Sequence, residues 1–163
     1  MHQTNKWTIA SIIFVLMFPL SCAKHIPEQR FVNDNAKFDL LIGGLTSEFK
    51  EGIVSRLVER YKDQGNVDLV NFDKLNQVQC SDYDVILVMD SVQAWSLFNF
   101  SLKSFLKKTE NCNNVVLLFT ANDPEWEYQY NDLDAITSAS MVDNEDRVFN
   151  ELAAKIDVMI SKI

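Results

Sequence analysis

The sequence predicts a single α/β domain, a three-layer sandwich in which helices cover both faces of a five-stranded parallel sheet. Short apolar runs alternate along the chain with stretches whose apolar residues recur at helical spacing. The strongest runs, at 83–89 and 115–119, are apolar at nearly every position, as expected of central parallel strands that are covered on both faces. The chain has 163 residues, the size of one domain. Five strands in about 125 residues fit the strand order 2-1-3-4-5.

Local signals set the boundaries of the predicted elements. Gly43-Gly44 ends the first strand, and Gly65-Asn66 ends the first helix. Asp123-Pro124 opens a later helix, since an acidic N-cap precedes a proline at the first helical position. The predicted strands are 38–42, 67–72, 83–89, 115–119 and 135–142, and they alternate with helices that begin near 48, near 98, at 123 and near 143.

The first 23 residues predict export rather than a part of the fold. Lys6 supplies a positive charge, and an apolar run follows at 7–20. That run is too short to span a bilayer as a mature helix, but it suits the apolar region of a signal peptide. We therefore expect the mature protein in the bacterial periplasm or attached to a membrane.

Three forms of the exported protein remain open. The sequence Leu20-Ser21-Cys22 resembles a bacterial lipobox, which would make Cys22 a lipidated N-terminus and a membrane anchor. Cleavage after Ala23 would instead release a soluble protein, and an uncleaved leader is the third alternative. In each case the polar segment 24–36 is predicted to be a tether, and 37–163 to be the folded domain.

The charge of the chain limits its partners. The formal net charge is −8, and the acidic residues are spread along the sequence. An acidic domain gains no binding free energy from the release of counterions from a nucleic-acid backbone, so we expect no binding to nucleic acid. Binding to an anionic membrane surface is disfavoured for the same reason.

Two cysteines remain in the domain whichever cleavage occurs. Cys80 and Cys112 form an even pair, which in an oxidising compartment indicates a disulfide. Each lies a few residues before one of two neighbouring predicted strands, so both are expected at the amino-terminal edge of the sheet. A bridge there is reasonable in geometry, and two buried free thiols are the alternative.

The mature domain resembles the flavodoxin family over residues 37–163. The best match is 83–108, YDVILVMDSVQAWSLFNFSLKSFLKK. In this region flavodoxins have a strand, then a loop whose aromatic residue stacks on the flavin ring, then a helix. Trp95 corresponds to that aromatic residue. The resemblance implies a flavodoxin-like fold and a site for FMN at the carboxyl ends of the strands.

The resemblance also implies a second loop that contacts the flavin, at 120–130 (TANDPEWEYQY). Asp123, together with Trp126 or Tyr128, would contact the cofactor there. These aromatic side chains have an alternative role as a patch that binds a partner protein, since aromatic residues are favoured as interface anchors.

The predicted phosphate loop departs from the family pattern, T/S-x-T-G-x-T. Of its defining positions only Thr46 agrees, because Ser47 replaces the glycine and Phe49 replaces a hydroxyl donor. Glu48 adds a negative charge close to where a phosphate dianion would bind. Each lost hydrogen bond to a charged group costs about 1.5–3 kcal/mol, so we expect weakened FMN binding, with Thr46 and Ser47 as the remaining phosphate contacts.

Histidine chemistry is excluded from the predicted domain, because the two histidines of the chain, His2 and His25, precede it. This removes Ser-His-Asp and Cys-His catalysis and histidine metal sites, and we expect no metal. A weaker resemblance to response-regulator receiver domains would make Asp90 a phosphoacceptor and Thr120 a switch residue. The acidic pair that a receiver needs after its first strand is missing, which disfavours that alternative.

The sequence therefore supports two functions. The leading expectation is a non-enzymatic envelope protein with a degraded flavin site, which binds an envelope partner or a small ligand. The alternative is an FMN-binding electron-transfer protein, in which the cofactor would carry the electrons. Whether the protein is an enzyme is left open.

Overall fold

The computed structural model describes residues 24–91, 100–121, 134–139 and 141–163. Over these residues the chain is an α/β domain built on a single, mostly parallel sheet, as predicted. The strands are β1 (Lys24–His25), β2 (Gln29–Phe31), β3 (Asp39–Thr46), β4 (Asn66–Asn71), β5 (Val85–Ser91), β6 (Val115–Ala121) and β7 (Asp134–Ala139), and the α-helices are α1 (Glu48–Tyr61), α2 (Phe100–Lys108) and α3 (Glu145–Ile160).

The sheet has more strands than the five predicted. Its strands lie in the order β2-β4-β3-β5-β6-β7, and β1 pairs with β3 outside this path. Four strand pairs are parallel: β4 with β3, β3 with β5, β5 with β6, and β6 with β7. The two additional strands, β1 and β2, are both antiparallel to their partners. The predicted strands thus form the continuous parallel part of the sheet, from β4 to β7, and the N-terminal segment adds the antiparallel strands.

Helices and turns cover both faces of the sheet, which confirms the predicted three layers. Alternate residues of a strand point to opposite faces, so Leu40 and Ile42 face one core and Leu41 faces the other. The first core contains α1 and α3, whose buried contacts include Ile53, Leu57, Leu152 and Ile156. The second core contains α2 and the 3₁₀ turn Phe72–Gln77, whose buried contacts include Phe72, Leu75, Phe105 and Leu106.

The first predicted strand does not end at Gly43-Gly44, because β3 continues to Thr46. Gly44 has φ = 134°, a conformation that side-chain-bearing residues rarely adopt. A Cβ atom at Gly44 would lie 1.9 Å from the carbonyl oxygen of Met89 on β5. This glycine therefore permits a close approach between two strands, and it does not act as a strand terminator.

Part of the segment 24–36 lies in the sheet, where we predicted a tether. Lys24 and His25 pair with Thr46 and Leu45 at the end of β3. Ile26 is 1% exposed, and its N–H donates to Gly44 O. The segment then continues into β2, which pairs with β4. The burial of Ile26 and the backbone pairing explain why this polar segment is ordered against the domain.

Cys80 and Cys112 form a disulfide, as predicted from their number and position. Cys80 lies in a 3₁₀ turn before β5, and Cys112 lies before β6. The side chain of Asn114 supports the same corner, since its amide donates to the carbonyl oxygens of Cys80 and Tyr83 at 3.0 and 2.8 Å. The bridge ties the amino-terminal edge of the sheet together.

Candidate functional site

The parallel strands β3, β5, β6 and β7 end at the same edge of the sheet. We call this the carboxyl edge and define it by the last residues of those strands: Thr46, Ser91, Ala121 and Ala139. Open α/β sheets bind ligands in the crevice outside the carboxyl ends of their strands. The carboxyl edge is therefore the candidate functional site.

The described part of the chain includes two of the predicted flavin contacts, Thr46 and Ser47, which lie at the end of β3. The structure therefore describes the predicted phosphate contacts but not the predicted ring contacts. The other predicted residues lie outside the described residues: Trp95, Asp123, Trp126, Tyr128 and the lipidation candidate Cys22.

The connection between β3 and α1 is a single residue, Ser47, because α1 begins at Glu48. Ser47 is the N-cap of α1, and its hydroxyl accepts the N–H of Lys50 at 3.5 Å. Thr46 is 4% exposed, and its hydroxyl donates to Ser47 O at 3.3 Å. Both hydroxyl groups that we predicted for phosphate binding are thus used to join the strand to the helix.

The charges at the start of α1 also disfavour a phosphate. Glu48 and Glu51 lie in the first turn, where acidic side chains complement the positive end of the helix dipole, and both are exposed. A phosphate dianion at this helix end would lie among like charges. The connection from β3 to α1 therefore does not fit the phosphate of FMN.

A buried polar cluster lies beside this connection, at the end of β5. Lys50, in the first turn of α1, is 0% exposed, and its Nζ donates to Ser91 Oγ at 2.6 Å. Ser91 pairs with Thr120 on β6, and their hydroxyl oxygens are 3.4 Å apart. Asp90 is 3% exposed, and its carboxylate accepts the N–H of Ser91 at 2.7 Å. We call Lys50, Asp90, Ser91 and Thr120 the edge cluster.

The protein changes the acidity of both ionisable members of the edge cluster. Burial lowers the pKa of Lys50 from 10.5 to about 8, and the charge of Asp90 opposes this shift. Burial also raises the pKa of Asp90, against the opposing effects of the Ser91 N–H and of Lys50. The Lys50 amine can consequently lose its proton much closer to neutral pH than a solvated lysine can.

Lys50 was not predicted from the sequence, although the sequence carries a signal for it. The apolar face of α1 carries Ile53, Val54 and Leu57, and Lys50 occupies the same face one turn earlier. A cation at this position is unfavourable for two reasons. The position is buried, and it lies at the positive end of the helix dipole. Residues that break local rules in this way are concentrated at functional sites.

The last strand adds a further polar contact to the carboxyl edge. Ser138, on β7, is 6% exposed, and its hydroxyl accepts a hydrogen bond from Arg147 at 3.0 Å. Arg147, near the start of α3, also forms an ion pair with Glu151 at 3.2 Å. The carboxyl edge thus carries buried hydroxyl groups from three strands and a guanidinium at its outer end.

A separate groove of about 300 Å³ lies between α1 and the N-terminal segment. Thr46 lies at this groove as well as at the carboxyl edge, so the two sites are adjacent. The apolar side chains that line the groove are Ile26, Pro27, Phe31, Val54, Val58 and Leu69.

Within the described ranges, no α-helix has both the length and the apolar character needed to cross a bilayer. The same residues contain no group of three or more histidine, cysteine or acidic side chains placed to hold a metal ion. The described carboxyl edge offers an amine, a carboxylate, hydroxyl groups and, at its outer end, the guanidinium of Arg147.

Comparison of the chain with known proteins found no match to a protein-family model, a curated protein or a solved structure.

Proposed function

We propose that this protein is an exported, flavodoxin-like binding domain that takes a small ligand or an envelope partner at its carboxyl edge and does not hold FMN. The observation that carries the proposal is the edge cluster, a set of buried polar groups at the place where open α/β sheets bind ligands. An unneeded buried lysine is costly, so its presence at this edge favours a role in binding.

The order of the parallel strands supports the flavodoxin-like part of the proposal. Numbered in chain order among themselves, the strands from β3 to β7 are arranged 2-1-3-4-5 across the sheet. Fold and function are separate questions, because one fold carries many activities. The function is therefore argued from the site.

Export is supported by the predicted leader at 1–23 and by the Cys80–Cys112 bridge. Disulfides persist in oxidising compartments such as the bacterial periplasm, and they are rare in the cytosol. Lipidation of Cys22 is the form of attachment that the lipobox-like sequence favours.

The proposal that the protein does not hold FMN is tested by titrating the full chain with FMN and with riboflavin. The two compounds differ only in the 5′-phosphate. We expect the two dissociation constants to agree within about threefold, because the β3–α1 connection contributes no favourable contact to the phosphate. In a functional phosphate site, two charge-assisted hydrogen bonds at about 1.5–3 kcal/mol each would favour FMN by more than about 100-fold.

A matched variant, Thr46→Val, separates the two outcomes. The substitution keeps the shape of the side chain and removes the hydroxyl that we predicted for phosphate binding. We expect no change in either titration. Submicromolar binding of FMN that Thr46→Val weakens tenfold would overturn the proposal and would establish the electron-transfer alternative.

A further inference from the structure

Within the edge cluster, one pair of side chains has the geometry of a nucleophile and its base. Ser91 Oγ lies 2.6 Å from Lys50 Nζ, within the range needed for proton transfer. Lys50 is fully buried, while Ser91 at the end of β5 is partly exposed. The serine hydroxyl therefore belongs to the carboxyl edge, where a ligand would approach, and contacts the buried amine.

A serine hydroxyl is a weak nucleophile and needs an adjacent base. Among the described residues the only histidine is His25, which lies on β1 beside Leu45. The Asp90 carboxylate is hydrogen-bonded to the Ser91 N–H. The base available to the Ser91 hydroxyl is therefore the Lys50 amine, and burial in apolar surroundings is the condition that lets a lysine lose its proton at moderate pH and so act as a general base.

We propose that Ser91 is a nucleophile that accepts an acyl group, with Lys50 as its general base. This inference deepens the proposed function and rests on it, since it names the chemical class of ligand at the carboxyl edge: an ester or another activated acyl compound. The protein would capture such a ligand by forming a covalent bond.

The reaction balances without a metal or an oxidant. Neutral Lys50 Nζ takes the proton of Ser91 Oγ as Oγ bonds to the acyl carbon. The bond from that carbon to the leaving oxygen then breaks, and the leaving group takes the proton from Lys50. The products are acyl-Ser91 and a free alcohol, with Lys50 neutral again. One ligand is captured by each protein molecule, so turnover is not required.

The pH dependence of capture follows from the groups that face the amine. In the described part of the chain, Asp90 on β5 is the charged group that acts on Lys50, and β6 contributes the neutral hydroxyl of Thr120. Glu48 and Glu51, on α1 itself, are exposed. Since the neutral amine is the base, capture should accelerate as the pH rises through the pKa of Lys50, about 8.

The test is to incubate the full chain with p-nitrophenyl acetate, and in parallel with a fluorophosphonate probe, and to locate the adduct by peptide mass spectrometry. We expect one adduct per molecule, on Ser91, formed at a rate that rises between pH 7 and pH 9. Ser91→Ala should abolish this adduct, because it removes the acylated oxygen, and Lys50→Met should slow modification of Ser91 by about 100-fold or more. Ser55→Ala, at an exposed serine of α1, is the matched control and should not change the rate.

Lys50→Arg is a second variant that keeps the test decisive if Lys50→Met fails to fold. Arginine keeps a hydrogen-bond donor beside Ser91 but stays protonated, so a folded Lys50→Arg protein should also lose capture. Absence of an adduct at Ser91 in the folded wild-type protein would overturn the proposal, as would an unchanged rate in a folded Lys50 variant. The readout is independent of flavin, so tight FMN binding would refute the proposed function and leave this test unaffected.

Discussion

Replacing Gly44 with alanine is expected to remove at least about 4 kcal/mol of folding stability, a large part of the roughly 5–15 kcal/mol that a domain has in total. The backbone at Gly44 has φ = 134°, and strain of this kind alone costs about 1–3 kcal/mol in a residue with a Cβ atom. The new Cβ would also lie 1.9 Å from Met89 O, a backbone atom that cannot move without disturbing the pairing of β3 with β5.

Gly52→Ala is the matched control for this prediction. Gly52 lies within α1, and its new Cβ would meet the carboxylate of Glu145, the free end of a flexible side chain, at 2.7 Å. Since alanine is favoured over glycine in a helix by about 1 kcal/mol, we expect a change within about 1 kcal/mol of zero. Urea unfolding of both variants measures the difference, and a Gly44→Ala protein as stable as Gly52→Ala would contradict the described β3–β5 contact.

Reduction of the Cys80–Cys112 disulfide is expected to lower the free energy of unfolding by about 4 kcal/mol. The bridge closes a loop with a sequence separation of 32 residues, and the chain-entropy model gives that value for such a loop. In a domain of this size, the loss corresponds to a fall in Tm of roughly 8–16 °C. The measurement is a thermal melt with and without dithiothreitol.

A double variant, Cys80→Ser with Cys112→Ser, controls for other effects of the reductant. It should melt near the temperature of the reduced wild-type protein, and dithiothreitol should not change its melting further. If reduction shifts the wild-type Tm by less than about 3 °C, the bridge contributes little to stability, and the chain-entropy argument does not describe this loop.

The core of the fold could be predicted because its strands are buried on both faces. The runs that form β5 and β6 are almost wholly apolar, and this pattern distinguishes central parallel strands from the helices between them. The positions of Cys80 and Cys112 before neighbouring strands then predicted the disulfide. In both cases a local pattern determines the tertiary contact.

The N-terminal strands could not be predicted in this way. Strand β1 has two residues and β2 has three, and most of these residues are polar. Pairing with β3 and β4, the burial of Ile26 and the packing of Phe31 against the first core hold them in place, and none of these leaves a periodic signal. Such strands depend on the neighbouring edge of the sheet and not on their own sequence.

The edge cluster could be predicted from the sequence only in part. Asp90 and Thr120 were found in the sequence only through the resemblance to receiver domains, an alternative that the sequence disfavoured. Lys50 was not, because lysine on a helix is normally solvated, and its partner Ser91 is 41 residues away in the chain. The predicted phosphate contacts, Thr46 and Ser47, lie at the connection from β3 to α1, where their hydroxyl groups bond to the backbone of that connection and of the first turn of α1.

The carboxyl edge contains a buried amine, that of Lys50, whose pKa is lowered towards neutral pH. An NMR titration of the lysine side chains, in the full chain labelled with ¹⁵N and ¹³C, tests this directly, with the Lys50 signal assigned by its absence in Lys50→Met. We expect a pKa of about 8 for Lys50. A pKa close to 10.5, the ordinary value for lysine, would show that the amine is solvated and would contradict the edge cluster described above.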